Sequence, residues 1–241
     1  MSKPVAIFGA TGGIGEGCAR TLHAEGKPVI LLGRRQEKLD TLARETGVAQ
    51  ADTIVCDVTD RESLDRAVAA ISERHGGLAG VIFSVAVPFA NRLAHRTPWE
   101  AFATQIDSQL KALHQVATAT MPLLKEAKGR LIVISTEFAV APPPIKTAPY
   151  SAAKAAMTSY AQVIAQEWLR HDIRVHIVAP GMVRTELIGD MPDAFLDQVA
   201  AGMPEAMLTR VEDVTGIVSF CLTDAADTLY GTPIRVTRGA R

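Results

Sequence analysis

The stretch that most constrains this chain is Val5-Ala6-Ile7-Phe8, followed at once by Gly9-Ala10-Thr11-Gly12-Gly13-Ile14-Gly15. Four consecutive apolar residues read as a strand covered on both faces. The glycines then permit a tight turn, a close approach of the backbone to a pyrophosphate, and close packing of helix on strand. Cys18, Ala19 and Leu22 follow at helical spacing, so the loop opens a helix whose free N–H groups and positive dipole end favour an anion. The spacing is Gly-x3-Gly-x-Gly, not the commoner Gly-x-Gly-x-x-Gly. Its place between a first strand and a helix, more than the glycine count, marks Gly9, Thr11, Gly13, Ile14 and Gly15 as a dinucleotide site.

The same alternation runs to the end of the chain. Strands are expected at Val5–Gly9, Val29–Gly33, Thr53–Val58, Val81–Val85, Leu131–Ser135, Arg174–Val178 and Ile234–Thr237. Capping boxes are read at Thr59–Glu62, Thr97–Glu100 and Thr209–Glu212, and Gly26 and Gly47 stand where helices should end. Repeated strand–helix units with right-handed crossovers imply an α/β fold, a Rossmann-type doubly wound parallel sheet of about seven strands with helices on both faces. No linker or repeat interrupts residues 1–241, which are read as one domain.

Composition narrows the function. Of 241 residues, 48% are hydrophobic and 21% charged, enough apolar surface for a large core. The net charge of −1, with dispersed Lys and Arg, speaks against a nucleic-acid partner. No run of 18 apolar residues suggests a membrane span. Cys18, Cys56 and Cys221 are odd in number and far apart, which fits reduced core thiols of a cytoplasmic protein. The histidines have no metal-ligand spacing, so no metal is expected, and His171 and His176 are read as surface residues.

After the second strand come Gly33-Arg34-Arg35. An acid here would accept from the 2′-hydroxyl of an NAD ribose, whereas arginine suits a 2′-phosphate, so NADP(H) is favoured over NAD(H). Further on, Tyr150-Ser151-Ala152-Ala153-Lys154 opens an Ala-rich helix and sets phenol and ammonium one turn apart. A nearby cation stabilises a phenolate and draws tyrosine toward acid/base use near neutrality.

Taken in order, the glycine loop, Asp57-Val58, Tyr150/Lys154 and Ala179-Pro180-Gly181-Met182-Val183-Arg184-Thr185 closely resemble the short-chain dehydrogenase/reductase family over nearly the whole chain. The resemblance implies an oxidoreductase moving hydride between a nicotinamide and a small carbonyl or alcohol substrate. Tyr150 would pass the proton, and Lys154 would tune it and hold the nicotinamide ribose. Asp57 and Val58 would hold the adenine, and Pro180, Gly181 and Thr185 the nicotinamide end. It also implies a homodimer or homotetramer, through the helices from about Trp99 to Lys125 and Tyr150 to Arg170, whose apolar residues, Met157, Tyr160 and Trp168 among them, lie on more than one face.

Four positions depart from that family. Ser84-Val85-Ala86-Val87 replaces Asn-Asn-Ala-Gly and keeps only Ala86. Gln109 stands where an asparagine orders a water in the proton relay. The substrate-orienting serine falls on Thr136, beside Ser135, when counted from the preceding strand, but on Glu137 when counted back from Tyr150. One extra residue in the loop with Pro142-Pro143-Pro144 reconciles the counts and favours Thr136. The end, Val236-Thr237-Arg238-Gly239-Ala240-Arg241, differs from Val-Asp-Gly-Gly. Residues 186–208, with Leu187, Ile188, Met191, Phe195, Leu196, Met203 and Met207, would sit over the active site as a mobile lid or as a packed helical insert, and their apolar side chains suggest an apolar substrate. These departures leave a second reading open, a cofactor-binding sensor or interaction module with weakened turnover.

Overall fold

Every apolar run expected to be a strand is one. The computed structural model describes residues 2–188, 193–203 and 205–239, and within helix α7 the side chain of Phe195 lies outside that description, as do Met191, Ala240 and Arg241. The strands are β1 (Val5–Phe8), β2 (Val29–Gly33), β3 (Thr53–Val55), β4 (Gly80–Phe83), β5 (Arg130–Ile134), β6 (Arg174–Pro180) and β7 (Pro233–Val236). They form one parallel sheet in the order β3-β2-β1-β4-β5-β6-β7. β3 and β4 stop at Val55 and Phe83, short of the expected Val58 and Val85, while β6 continues to Pro180.

Alternating residues of each strand feed two cores. Val5, Ile7 and Leu31 face one cluster with Cys18, Leu22 and Val218. Ala6, Phe8, Phe83 and Val133 face the other, with Leu64, Val116 and Met157. Helices α1 (Gly13–Ala24), α2 (Gln36–Thr46) and α8 (Val211–Cys221) supply the first face. α3 (Arg61–His75), α5 (Ala112–Ala127) and α6 (Ala148–Trp168) supply the second. α4 (Trp99–Ile106) runs into α5 through a π turn at Asp107–Lys111, and α7 is Asp193–Ala201.

The helix starts sit one residue later than the capping boxes predict. Asp60, not Thr59, caps α3, its carboxylate accepting from Glu62 N at 3.0 Å. Pro98 rather than Thr97 precedes α4, and no side chain caps it. At α8 the acid is Asp213, not Glu212, and it accepts from Arg210 N at 2.9 Å. Gly47 does cap α2 in the left-handed conformation. The three cysteines are free and buried.

His176 departs from expectation. It is fully buried, its ring nitrogens have no hydrogen-bond partner among the described residues, and burial first, then nearby Arg130, lowers its pKa to about 4. Strand alternation turns it onto the same face as Val178, away from solvent.

Because the winding reverses between β1 and β4, the helices that follow these strands leave in opposite directions. A crevice opens at the C-terminal ends of β1 and β4, the place where such sheets bind ligands.

Candidate active site

The floor of that crevice is the glycine loop. Gly9 has φ +84°, and a side chain there would meet Ser84 O at 2.6 Å. A side chain on Gly15 would meet Gly9 O at 2.1 Å, so Gly15 supports the loop from behind while Gly9, Thr11, Gly13 and Ile14 face the cleft. In the first turn of α1 the amides of Gly13 and Ile14 have no backbone acceptor among the described residues. Such a turn presents N–H donors and a positive dipole end to an anion. Together with a cleft of about 640 Å³, this cradle fits a dinucleotide.

One end of the cleft is bounded by Arg34, Arg35, Asp57 and Val58. Both guanidinium groups are exposed and make no hydrogen bond or ion pair with described residues. Burial alone would raise the Asp57 pKa. Donation from Thr59 Oγ1 at 2.7 Å and Thr59 N at 2.9 Å, with Arg34 nearby, holds it below the usual value.

At the other end Tyr150 and Lys154 lie in the cleft wall with Ser84, Ala86, Ser108 and Thr185. Lys154 is 3% exposed, and its Nζ donates to Ile134 O at 2.7 Å and stands 5.9 Å from the Tyr150 ring centroid. Burial lowers the ammonium pKa to about 7. Burial also raises the phenol to about 12, against a hydrogen bond with Thr136 that pulls it down.

The three candidates for the orienting hydroxyl separate in space. Ser135 Oγ is hydrogen-bonded to Thr158 Oγ1 at 2.5 Å, turned onto α6. Glu137 points toward Arg235, whose Nη2 lies 3.6 Å from its Oε2, and burial raises its pKa. Thr136 shares the smaller pocket with Tyr150 and is hydrogen-bonded toward its hydroxyl, and a short turn follows at Glu137–Ala139. Thr136 and Tyr150 open into a second, smaller pocket that also touches Pro180, Gly181 and Thr185.

Gln109 is not brought to this cluster. Its side chain is fully buried, and Nε2 donates to Gln105 Oε1 at 3.1 Å, while Ser108 takes the cleft-facing position. Sequence reasoning also passed over Phe89, which stacks on Tyr150 with centroids 4.6 Å apart and planes at 17°. A lone aromatic in an irregular loop carries no periodic signal. Gly17 was missed as well, though a side chain there would meet Val211 Cγ1 at 2.3 Å, so it lets α8 press against α1. Among the described residues no His/Cys/Asp/Glu group has metal-site geometry, and no helix is long and apolar enough to cross a membrane.

A glycine cradle at the switch point, with a buried Tyr/Lys pair at the far end of one cleft, is the arrangement of a Rossmann-type dinucleotide-binding fold. Comparison with known proteins makes the class specific. The profile of a family described as enoyl-(acyl carrier protein) reductase matches residues 9–241. Nodulation protein G of Rhizobium sp. (strain N33) is 30% identical over 97% of this chain and 94% of its own length. Dehydrogenase/reductase SDR family member 4 of Bos taurus is 29% identical over 99% of this chain and 87% of its own length. A solved short-chain type dehydrogenase/reductase from Mycobacterium ulcerans has a TM-score of 0.88 at 26% identity, covering 99% of this chain and 90% of that one. Actinorhodin polyketide ketoreductase, solved with NADPH, has a TM-score of 0.89 at 24% identity over 100% and 98%, a likeness of fold. The chain belongs to the short-chain dehydrogenase/reductase family, oxidoreductases that use a nicotinamide cofactor.

Proposed function

We propose that this protein is an NADP(H)-dependent oxidoreductase that interconverts a carbonyl compound and its alcohol, with Tyr150 as the general acid/base. The observation that carries the reading is the place of Tyr150 between the long cleft, which it lines with Lys154, and the smaller pocket, which it lines with Thr136. When bound, the nicotinamide supplies or accepts the hydride. The protein's part is to position, polarise and move a proton.

Tyr150, at about 12 in the open site, is protonated at neutral pH and ready to donate to a developing alkoxide. A protonated Lys154 one turn away stabilises the phenolate left behind. The Thr136 hydroxyl is the second donor to the substrate oxygen, and an oxyanion-type donor of this kind contributes roughly 10²–10³ in rate. Glu137 is held off by Arg235. Lys154, Ala86, Pro180, Gly181 and Thr185 would hold the nicotinamide end, and Asp57 and Val58 the adenine. Arg34 and Arg35, exposed and without a hydrogen bond to the described residues, support a 2′-phosphate, and therefore NADP(H), as the partner at the cleft's end.

Residues 1–241 act as one cofactor-binding domain, with 186–208 as its substrate lid. The expected cytoplasmic location rests on the reduced cysteines, and the expected homodimer or homotetramer on the family resemblance. Met157 and Trp168 belong to the protein's own core, so the interface would use exposed Trp99 on α4 and Val163 on α6.

A second reading, a cofactor-binding module without turnover, draws on Gln109, whose amide faces Gln105 rather than the cleft. The test that separates the two is NADPH consumption with a panel of ketones, aldehydes, quinones and 3-oxoacyl thioesters. Turnover of any one establishes the enzyme, and tight NADPH binding with no turnover across the panel establishes the module.

A further inference from the structure

Between Val85 and Asn91 the loop after β4 has no regular structure. Among the described residues, the hydrogen bonds its carbonyls accept come from one side chain. Gln105 Nε2, on α4, donates to Val87 O at 3.4 Å and to Pro88 O at 3.2 Å. Gln105 is 2% exposed, so these bonds are made away from water, where leaving a polar group unpaired is costly. Its amide has one orientation that works. Gln109 Nε2 donates to Gln105 Oε1, which turns the Gln105 NH2 toward the loop. Two buried glutamines one helical turn apart therefore fix the backbone immediately before Phe89, and Phe89 lies flat on Tyr150.

The pocket that this ring walls is apolar. Phe89, Ile14, Phe138, Met182, Leu187 and Ile188 surround the Tyr150 and Thr136 hydroxyls, and among the described residues lining it none is charged. It is small, about 60 Å³. An ionised group drawn into such a place loses its hydration without a partner in return. Beside the Tyr150 and Thr136 hydroxyls the pocket's described lining offers only the hydroxyls of Ser135, already hydrogen-bonded to Thr158, and Thr185, and no cation to pair with a charged group.

We propose that the substrate is an uncharged carbonyl compound whose carbonyl carries apolar substituents, that Phe89 selects it, and that Gln105, oriented by Gln109, is the positioning residue for Phe89. The proposal rests on the oxidoreductase reading above. It also gives Gln109 a part of its own, since its amide donates to Gln105 Oε1 and orients it.

The experiment pairs neutral ketones with carboxylated counterparts, acetophenone with phenylglyoxylate and 2-octanone with 2-oxooctanoate, all with NADPH. The 2-oxo acids are intrinsically the more electrophilic, so any preference for the neutral compounds comes from the pocket. The full-length protein is expected to favour the neutral member by at least about 100-fold in kcat/KM. Phe89→Ala should lower kcat/KM for the neutral ketones by about 10- to 100-fold and shrink that preference. Gln105→Leu should do the same mainly through KM, with the NADPH dissociation constant unchanged in both variants and Gln105→Asn restoring part of the loss. A preference for the oxo acids, or a ratio untouched by Phe89→Ala, overturns the proposal and leaves the oxidoreductase reading intact. A Gln105→Leu variant with wild-type KM removes Gln105 from it. Tight NADPH binding with no carbonyl turned over removes the oxidoreductase reading, and the substrate proposal with it.

Discussion

The ammonium of Lys154 is held by the carbonyl of Ile134, the last residue of β5, at 2.7 Å, with no carboxylate among the described residues as its hydrogen-bond partner. A cation buried against a neutral acceptor is a cost to the fold, and its pKa of about 7 expresses that cost. Because the folded value lies below the unfolded one of about 10.4, the unfolded chain binds more protons between these pH values and stability rises with pH across the window. Wild type should therefore gain up to about 3 kcal/mol relative to Lys154→Met between pH 7 and 9.5. At pH 7 the variant should be the more stable by about 1–3 kcal/mol, yet inactive, as expected where a site trades stability for function. Urea denaturation of both proteins across that range checks it. A variant less stable than wild type at pH 7 contradicts it.

Arg34 and Arg35 stand exposed at the cleft's end, with no hydrogen bond or contact ion pair to the described residues, Arg34 acting only at longer range on Asp57. NADPH should bind at least tenfold more tightly than NADH, about 1.4 kcal/mol. Arg34→Ala should erase most of that gap by removing a charge-assisted contact to the extra phosphate. Titration calorimetry with both cofactors gives the ratio, and equal affinities for the unaltered protein contradict the assignment.

Gly15 and Gly12 look alike in the sequence and differ in what surrounds them. A Cβ on Gly15 would stand 2.1 Å from Gly9 O, a backbone atom that cannot yield, whereas on Gly12 the nearest atom is 3.5 Å away. Gly15→Ala should cost roughly 3 kcal/mol or more. Gly12→Ala, at φ −93° and ψ 157°, should stay within about 1 kcal/mol of wild type. Thermal denaturation of the two variants side by side decides it.

The buried His176 makes the fold acid-sensitive. Its folded pKa of about 4 lies below the unfolded value near 6.5, so its contribution is complete above about pH 6.5 and is lost as pH falls toward 4. At pH 5 the loss should be about 2 kcal/mol. His176→Leu should flatten that part of the profile while leaving stability at pH 7.5 little changed. Parallel acid sensitivity in both proteins contradicts the burial argument.

The sheet was legible in the sequence because strands covered on both faces are written as unbroken apolar runs, as Val29–Leu32 and Leu131–Ile134 are. The edge strand β3, covered less well, ended earlier than its sequence suggested. Helix starts were read one residue early because Thr59 and Thr209 satisfy the capping pattern as text. The acid that reaches the free amide is set by where the chain turns, which Asp57 and Asp60 settle between them at α3. In the site, the positions of Thr136, Ser135 and Glu137 followed from strand alternation at the end of β5, once the short turn at Glu137–Ala139 was known. His176, Phe89 and the Gln105–Gln109 pair were not legible. Each takes its meaning from segments distant in the sequence or without periodicity, and Gln109, read as a member of a proton relay, spends its amide on Gln105 instead.

The central claim is that the Tyr150 hydroxyl is the proton carrier of a carbonyl–alcohol reaction. Tyr150→Phe removes that hydroxyl and keeps the ring that packs on Phe89. The measurement is kcat of Tyr150→Phe against wild type, with NADPH and a ketone that wild type reduces, alongside the NADPH dissociation constant of each. The account predicts a fall in kcat of at least about 10³-fold, within the usual contribution of positioned acid/base groups, with NADPH affinity within about twofold of wild type. A Tyr150→Phe protein that turns the ketone over at the wild-type rate contradicts it.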